Sequence, residues 1–311
     1  MRSVVAILFA LPWVIWSALR TLGIELPYPL VAALAFTPYA ALTSPLPVIL
    51  ALLLRRWRVA LLAAVACLGL VVAVLPRALT GPRPSPSGPR LVVMTSNVWL
   101  GSADMRALVR IAQAHDVDVI SLQEVRPKTV QHLQALKPFP VRIFEPQTGA
   151  GGSALLSRLP MQLIPQQWIS GAAQPEATLT VRGAPPVRIK AVHPRPPVTA
   201  AATTEWRASL KAMPSTDARG DVTILAGDFN STLDHPELRS VLDRGWADAG
   251  DSAGAGLHPT WPSHPRARGA LPITIDHVLV DHRVRVEDYT VVAIPHSDHR
   301  ALIVVLRLPA A

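Results

Sequence analysis

An intramolecular disulfide is impossible in this chain of 311 residues, which holds a single cysteine, Cys67. Cys67 lies within an apolar run and reads as a small packing or lipid-facing residue, so cysteine usage says nothing about redox compartment. Charged residues are scarce, at 16%, and aromatic ones scarcer, at 5%, while half of the chain is hydrophobic. Acidic residues are nearly missing from the first 90 positions, where Glu25 stands alone against eight arginines. The whole chain has 30 basic and 21 acidic residues, which leaves 22 basic and 20 acidic for residues 91–311. The formal net charge of +9 therefore belongs almost entirely to the N-terminal region. The remainder, close to neutral, has no basic stripe for a polyanionic duplex, so nucleic acid is the less favoured partner. No internal repeat is present.

What the N-terminal region does have is long uncharged runs. Ser3–Leu19, Leu30–Leu54 and Val59–Pro76 contain no charged residue, and each approaches the length that crosses a bilayer. Pro38, Pro45 and Pro47 interrupt the second run, which fits a kinked helix or a re-entrant hairpin. A cleaved signal peptide accounts for the first run but not for the other two. Arg55, Arg56 and Arg58 lie between the second and third runs, and short basic loops stay cytoplasmic. Three spans put Arg2 on that same side and everything after residue 76 on the other. A re-entrant middle segment would set Arg2 against the arginine cluster. The reading is thus a membrane anchor over residues 1–76 with about three spans, multi-pass, with the lipid bilayer as partner. Trp13, Trp16 and Trp57 suit either interfacial anchoring or packing between helices. Residues 77–90 are rich in Pro, Gly and Ser, a linker composition that would reach about 40 Å if extended and leave the following domain free to tilt.

From Leu91 onward, short β-branched runs alternate with stretches of helical periodicity. Strands are expected at 91–96, 117–122, 154–157, 187–192, 222–226, 275–280 and 301–306, and helices at 104–115, 127–136, 199–212 and 236–242. Such alternation suits a layered α/β sandwich. Polar residues cluster at the strand ends: Asn97, Gln123 and Glu124, His193, Asp228 and Asn230, Asp276 and His277, Asp298 and His299. Carboxylates, amides and imidazoles so placed are what an oxygen-ligated divalent cation acting on phosphate requires.

Seven stretches occur in one order: Thr-Ser-Asn97-Val, Leu-Gln123-Glu124-Val, Gly151-Gly-Ser-Ala-Leu-Leu-Ser157-Arg158, Val-His193-Pro, Gly227-Asp228-Phe-Asn230, Ile-Asp276-His277 and Ser297-Asp298-His299. The series resembles the endonuclease/exonuclease/phosphatase (DNase I-like) superfamily and spans residues 91–311. The resemblance implies a four-layer α-β-β-α sandwich and Mg²⁺ dependence, with Mn²⁺ as an alternative. It implies that Glu124 is the principal metal ligand, with Asn97 nearby, and that Asp228 activates or orients the attacking water while Asn230 steers phosphate or metal. His299 would meet the scissile phosphate, with Asp298 orienting its ring, binding metal, or both. His193 would complete the phosphate clamp, oriented by Asp276. Taken alone, Gly-Asp-Phe-Asn reads as a turn and Gln-Glu as a cap or surface loop. His277 reads as structural, and His115, His132, His235, His258, His264, His282 and His296 as solvated. Arg158 and Arg300 are expected in ion pairs, and Trp261 in a loop beside the cleft.

An apolar anchor, a proline-rich linker and this catalytic series together resemble the VanJ-type membrane proteins of teicoplanin resistance. That likeness implies an extracytoplasmic hydrolase of a lipid-linked phosphate, undecaprenyl diphosphate foremost. A surface-anchored nuclease or phospholipid phosphodiesterase, and a catalytically silent binding module, are the competing readings.

Overall fold

The computed structural model describes residues 1–80, 86–134, 137–165, 171–263 and 270–311. Its N-terminal part is helical: α1 (Arg2–Leu22), a 3₁₀ segment (Leu30–Phe36), α2 (Thr37–Thr43), α3 (Pro45–Leu53) and α4 (Trp57–Val74). Two helices, Arg2–Leu22 and Trp57–Ala78, are long and apolar enough to cross a membrane. The segments on either side of Ser44 form a third candidate bent by 46°, where Pro45 opens α3 and cannot continue the hydrogen bonds of α2.

The packing of this bundle is the reverse of a soluble one. Small residues face inward: Ala6, Ala10 and Ser17 of α1, and Ala60, Ala63 and Ala66 of α4. A Cβ on Gly69 would stand 2.7 Å from the Ser17 hydroxyl, so glycine is what lets the two backbones approach. The large side chains, among them Leu8, Leu11, Leu61, Val65 and Leu68, point outward and are exposed. The Trp13 and Trp16 indole N–H groups donate to Thr43 and Thr37 at 3.1 and 3.0 Å, which makes them packing residues between helices, whereas Trp57 is exposed.

The second part has two six-stranded sheets. Its strands are β1 (Arg90–Asn97), β2 (Val119–Gln123), β3 (Val141–Glu145), β4 (Ser153–Ser157), β5 (Met161–Ile164), β6 (Glu176–Leu179), β7 (Val187–Val192), β8 (Val222–Asp228), β9 (Trp246–Asp248), β10 (Asp276–Asp281), β11 (Arg285–Ala293) and β12 (Arg300–Arg307). One sheet has the order β11-β12-β1-β2-β4-β3 and the other β5-β6-β7-β8-β10-β9. Alternation along the strands sends Leu91, Val93, Ile224 and Val280 into the space between the sheets. Val92, Met94, Leu122 and Ile303 point the other way, beneath α5 (Met105–Ala114) and α6 (Pro127–Gln134). Leu225 and Leu279 lie beneath α7 (Ala200–Lys211) and α8 (Pro236–Leu242). The expected four-layer sandwich is the observed one. Asp104 caps α5 by accepting from Arg106 and Ala107 N–H at 2.9 Å.

The helical part does not hang from a loose tether. Arg20, near the end of α1, and Arg77, just past α4, both bind the buried carboxylate of Asp234, at 2.6 Å and at 2.8 and 2.6 Å. Val31 sits in the core beneath α7 and α8, and its carbonyl meets the His235 ring at 3.1 Å. Tyr39 donates to the Pro272 carbonyl at 2.7 Å, and Arg207 to that of Leu26 at 2.6 Å. The expectation of a freely tilting domain is corrected by these contacts. Arg77 belongs to a docked 3₁₀ turn (Leu75–Ala78), and linker residues 81–85 lie outside the described ones. His235 is likewise corrected from solvated to buried and is held below its ordinary pKa by burial. Since Arg20 and Arg77 converge on one carboxylate, α1 and α4 run parallel. Arg2 and the Arg55, Arg56 and Arg58 cluster therefore share the far end, and α2–α3 forms the return.

Burial opposes the Asp234 charge, yet the two guanidinium groups hold its pKa below the ordinary value. Removing one partner of a buried pair costs about 3–5 kcal/mol, so Asp234→Ala should markedly lower the thermal midpoint of detergent-purified protein. A carboxylate with a depressed folded pKa contributes its full stability above the unfolded value of ~3.9 and loses it as pH falls through the folded one. The difference between wild type and D234A should accordingly shrink in strong acid. An unchanged midpoint at neutral pH would show the docking to be dispensable.

Candidate active site

The C-terminal ends of the parallel pairs β1–β2 and β7–β8 lie at the same end of the sandwich. Register places Asn97 opposite Gln123 in one sheet, and in the other Val192 opposite Gly227 and Asp276 opposite Asp228. The strands approach so closely that a Cβ at residue 227 would lie 1.9 Å from the Val192 carbonyl, which restricts this position to glycine. The Ser121 hydroxyl ties the sheets together by donating to the Ala226 carbonyl at 2.8 Å.

On this frame the expected residues gather. The Asn97 amide donates to Glu124 Oε1 and to Asp228 Oδ2, both at 3.1 Å. Its own oxygen accepts the Trp99 N–H at 2.9 Å, and the Leu100 N–H reaches Glu124 Oε2 at 2.8 Å. Glu124 and Asn230 have φ of +60° and +48°, a left-handed conformation that is costly outside glycine and concentrates at functional sites. Asn230 donates its backbone N–H to Asp228 Oδ1 at 2.8 Å and its side-chain amide to the Pro194 carbonyl at 3.0 Å. That second bond fastens the Asp228 loop to the residue after His193.

Asp228 also faces two imidazoles, with His299 Nε2 at 3.7 Å and His193 Nε2 at 3.9 Å from its Oδ2. The His299 Nδ1 pairs with Asp276 Oδ2 at 2.9 Å. Two assignments are thereby corrected. Asp276, at the start of β10 and opposite Asp228 in the antiparallel β8–β10 register, orients His299 rather than His193. Asp298 accepts the Trp261 indole N–H at 3.2 Å and so holds that ring rather than the His299 imidazole. The Trp261 ring centroid lies 6.4 Å from that of His299.

The two imidazoles have opposite charge preferences. Burial and the neighbouring His299 charge push His193 down to about 4, so its ring is neutral. Burial also opposes charge on His299, but Asp276, Asp228 and Asp298 outweigh it and push that ring up to about 10. Asp228 is pushed up to about 7 by burial and then by the Asp276 carboxylate, against the pull of His299 and the amide donors. A carboxylate that titrates near neutrality beside a fixed cation is suited to move a proton.

The donor set fits a hard divalent cation. Ligand atoms of Asp228, Asp276 and His299 lie within 4.8 Å of one another, though a His299 ring held protonated offers no lone pair. Glu124 and Asp298, outside that group, are further oxygen donors near it in the chain's site series. Asp276 Oδ1 and Asp298 Oδ1 are buried without a hydrogen-bond partner among the described residues, which suits carboxylates that ligate.

Other polar residues behave differently from expectation or escaped it. His277 is structural as expected, bonded to Asp248 and to the Ser231 carbonyl at 2.8 Å each. Gln174, whose side-chain oxygen accepts the His193 N–H at 3.2 Å, and Ser297, which donates to the Asn97 carbonyl at 2.7 Å, were not anticipated. Ser297 adjoins the Asp298-His299 pair and was open to discovery, whereas nothing local marks Gln174. Arg158 lies over the Phe139 ring at 5.3 Å, and Arg300 donates to the Pro259 carbonyl at 3.0 Å, in place of the expected ion pairs. His264 lies outside the described residues.

Solved structures share this fold. An endonuclease/exonuclease/phosphatase from Beutenbergia cavernae aligns with a TM-score of 0.55 at 22% identity, over 71% of this chain and 72% of that one. Truncated Caenorhabditis elegans TDP2 aligns with 0.55 at 19%, over 70% and 97%. D. rerio TDP2 complexed with single strand DNA product aligns with 0.54 at 16%, over 70% and 98%. No curated protein matches the chain significantly. The sequence profile of the Endonuclease/Exonuclease/phosphatase family, however, matches residues 94–299, the interval that holds every side chain of the cluster, and the chain belongs to that family.

Proposed function

We propose that this protein is a membrane-anchored phosphoesterase, dependent on Mg²⁺ or Mn²⁺, that hydrolyses a lipid-linked phosphate, with undecaprenyl diphosphate the leading substrate. The observation that carries this reading is the docking of the carboxylate–histidine cluster's own loop, through Asp234, onto helices that expose large apolar side chains. A site so held works at the bilayer surface, where a lipid substrate is concentrated and a soluble one is not. The basic cluster Arg55, Arg56 and Arg58 lies at the far end of the bundle, which favours an extracytoplasmic active site.

In this reading Asp228 accepts a proton from the attacking water, while Asn230 fixes the Asp228 loop and faces the phosphate. His299, kept cationic by Asp276, neutralises charge that builds on the phosphoryl oxygens. Neutral His193 donates a hydrogen bond from the opposite side. Glu124, with Asn97 and Asp298, would hold the cation, which would supply further charge neutralisation when bound. A contribution to teicoplanin resistance rests on the VanJ-type resemblance and would act through the same hydrolysis.

Three results check the proposal. Detergent-purified protein with Mg²⁺ should release phosphate from undecaprenyl diphosphate and leave supercoiled plasmid intact; plasmid nicking without phosphate release would replace it with the nuclease reading. Asp228→Ala and Asp276→Asn should each lower kcat by roughly 10²–10⁴-fold. Retention of near wild-type rates by D276N would show that the His299 charge is idle. Glu124→Gln should weaken Mn²⁺ binding in calorimetry by at least the ~10–100-fold typical of lost outer-sphere partners. Unaltered affinity would remove Glu124 from the metal.

A further inference from the structure

A cavity of about 480 Å³ lies where the helical bundle meets the catalytic part, within the ~300–1,000 Å³ range of ligand sites. One wall comes from the helices and includes Tyr39, Leu42, Val71 and Val74. The other comes from the catalytic part and includes Leu233 and Ile273. Hydrocarbon dominates the lining, and the charged pair at its edge, Arg77 with Asp234, is already mutually satisfied. Leu42 and Leu75, which also line it, are 77% and 53% exposed and continue the apolar belt formed by Leu61, Leu68 and Val72. A chain dissolved in the bilayer would enter the cavity from that belt without meeting water.

Segments that line the cavity run on along the chain to the carboxylate–histidine cluster. Thr232 to Asp234, part of the lining, begin two residues after Asn230. Pro259 and Ile273 line it too, and Ile273 forms a two-way backbone bridge with Trp261, whose ring faces His299. The Thr260 hydroxyl, between them, accepts the N–H groups of Ile275 and of the site residue Asp276 at 3.1 and 3.2 Å. The segments that wall the cavity are therefore the segments that position Asp228, Asp276 and Trp261.

We infer that this cavity is the subsite for the phosphate-proximal hydrocarbon of the substrate, the first isoprene units of a polyprenyl diphosphate, whose headgroup then lies at the Asp228–His299 cluster. The inference rests on the lipid-phosphate reading above and specifies how it selects its substrate. The occupant is the chain of the substrate itself. A bulk phospholipid would need no wall shared with the catalytic loops.

The test uses the full chain in detergent with Mg²⁺. Turnover of inorganic pyrophosphate, geranyl diphosphate and farnesyl diphosphate is compared in wild type, Leu42→Trp and Val71→Trp. In wild type kcat/KM should rise at least about tenfold from geranyl to farnesyl diphosphate, since each added unit buries several carbons. Both tryptophan variants should flatten that rise while leaving pyrophosphate turnover and the thermal midpoint unchanged. A rise that survives both substitutions, or an equal loss on all three substrates, overturns the subsite. A second measurement is independent of hydrolysis: a diazirine-bearing farnesyl methylenediphosphonate should label residues 38–42 and 71–75, and farnesyl diphosphate should compete it away. Labelling displaced by phosphatidylcholine but not by farnesyl diphosphate would assign the cavity to bulk lipid and reject the proposal. If wild type turns over no prenyl diphosphate, the functional reading fails by itself, and the labelling pattern still decides whether the cavity binds a prenyl chain.

Discussion

The Asn97 side chain spans the line where the two sheets meet, with its amide on Glu124 from one sheet and on Asp228 from the other. The carboxylate–histidine cluster is referenced to that pair of bonds. Asn97 is fully buried, and so nearly is Asp228, so neither can exchange its partner for water and their separation is fixed by the packing of the core. The backbone N–H of Asn230 and the two imidazoles complete the surroundings of Asp228. One carboxylate thus reports the relative position of both sheets. The sandwich is rigid where the chemistry takes place because Leu91, Val93, Ile224 and Val280 fill the space behind it.

A second buried carboxylate, Asp234, has a different task. Four residues beyond Asn230 on the same loop, it is gripped by arginines from the C-terminal ends of α1 and α4, Arg20 and Arg77. Two guanidinium groups are what make a buried Asp tolerable, since a lone charge there would be expelled or neutralised. The same loop is anchored again by the His235–Val31 and His277–Ser231 bonds. The helical region and the Asp228 loop are therefore one mechanical unit, and displacement of α1 or α4 would be felt within a few residues of Asp228.

The helical region itself illustrates how solvent decides packing. Its interior is mostly alanine, with Ser17, Leu34, Leu70 and Val74, while most of its leucines and valines lie on the surface. In water the hydrophobic effect would punish that arrangement. It suits a lipid surround, where no such force acts between helices and close backbone approach, as at Gly69, supplies the contact instead.

The central strands β1, β2, β4, β7, β8, β10 and β12 were legible in the sequence, because burial on both faces makes them short continuous apolar runs. The four edge strands β3, β5, β9 and β11 were not, nor was the short β6. Edge positions keep polar residues against unwanted pairing, as Arg285, Glu287 and Asp288 do in β11, and this erases the periodic signal. The order of seven short stretches determined the family and the layered fold, and it named side chains that the structure brings together, since polar residues at strand ends are local features of the chain. Tertiary structure alone decided who partners whom. Asp276 serves His299 and not His193 because a register between distant strands aims it there. A region with linker composition proved to start with a buried arginine because its partner, Asp234, is 157 residues away. Pairing across such separations depends on how layers pack, and no local pattern of residues encodes it.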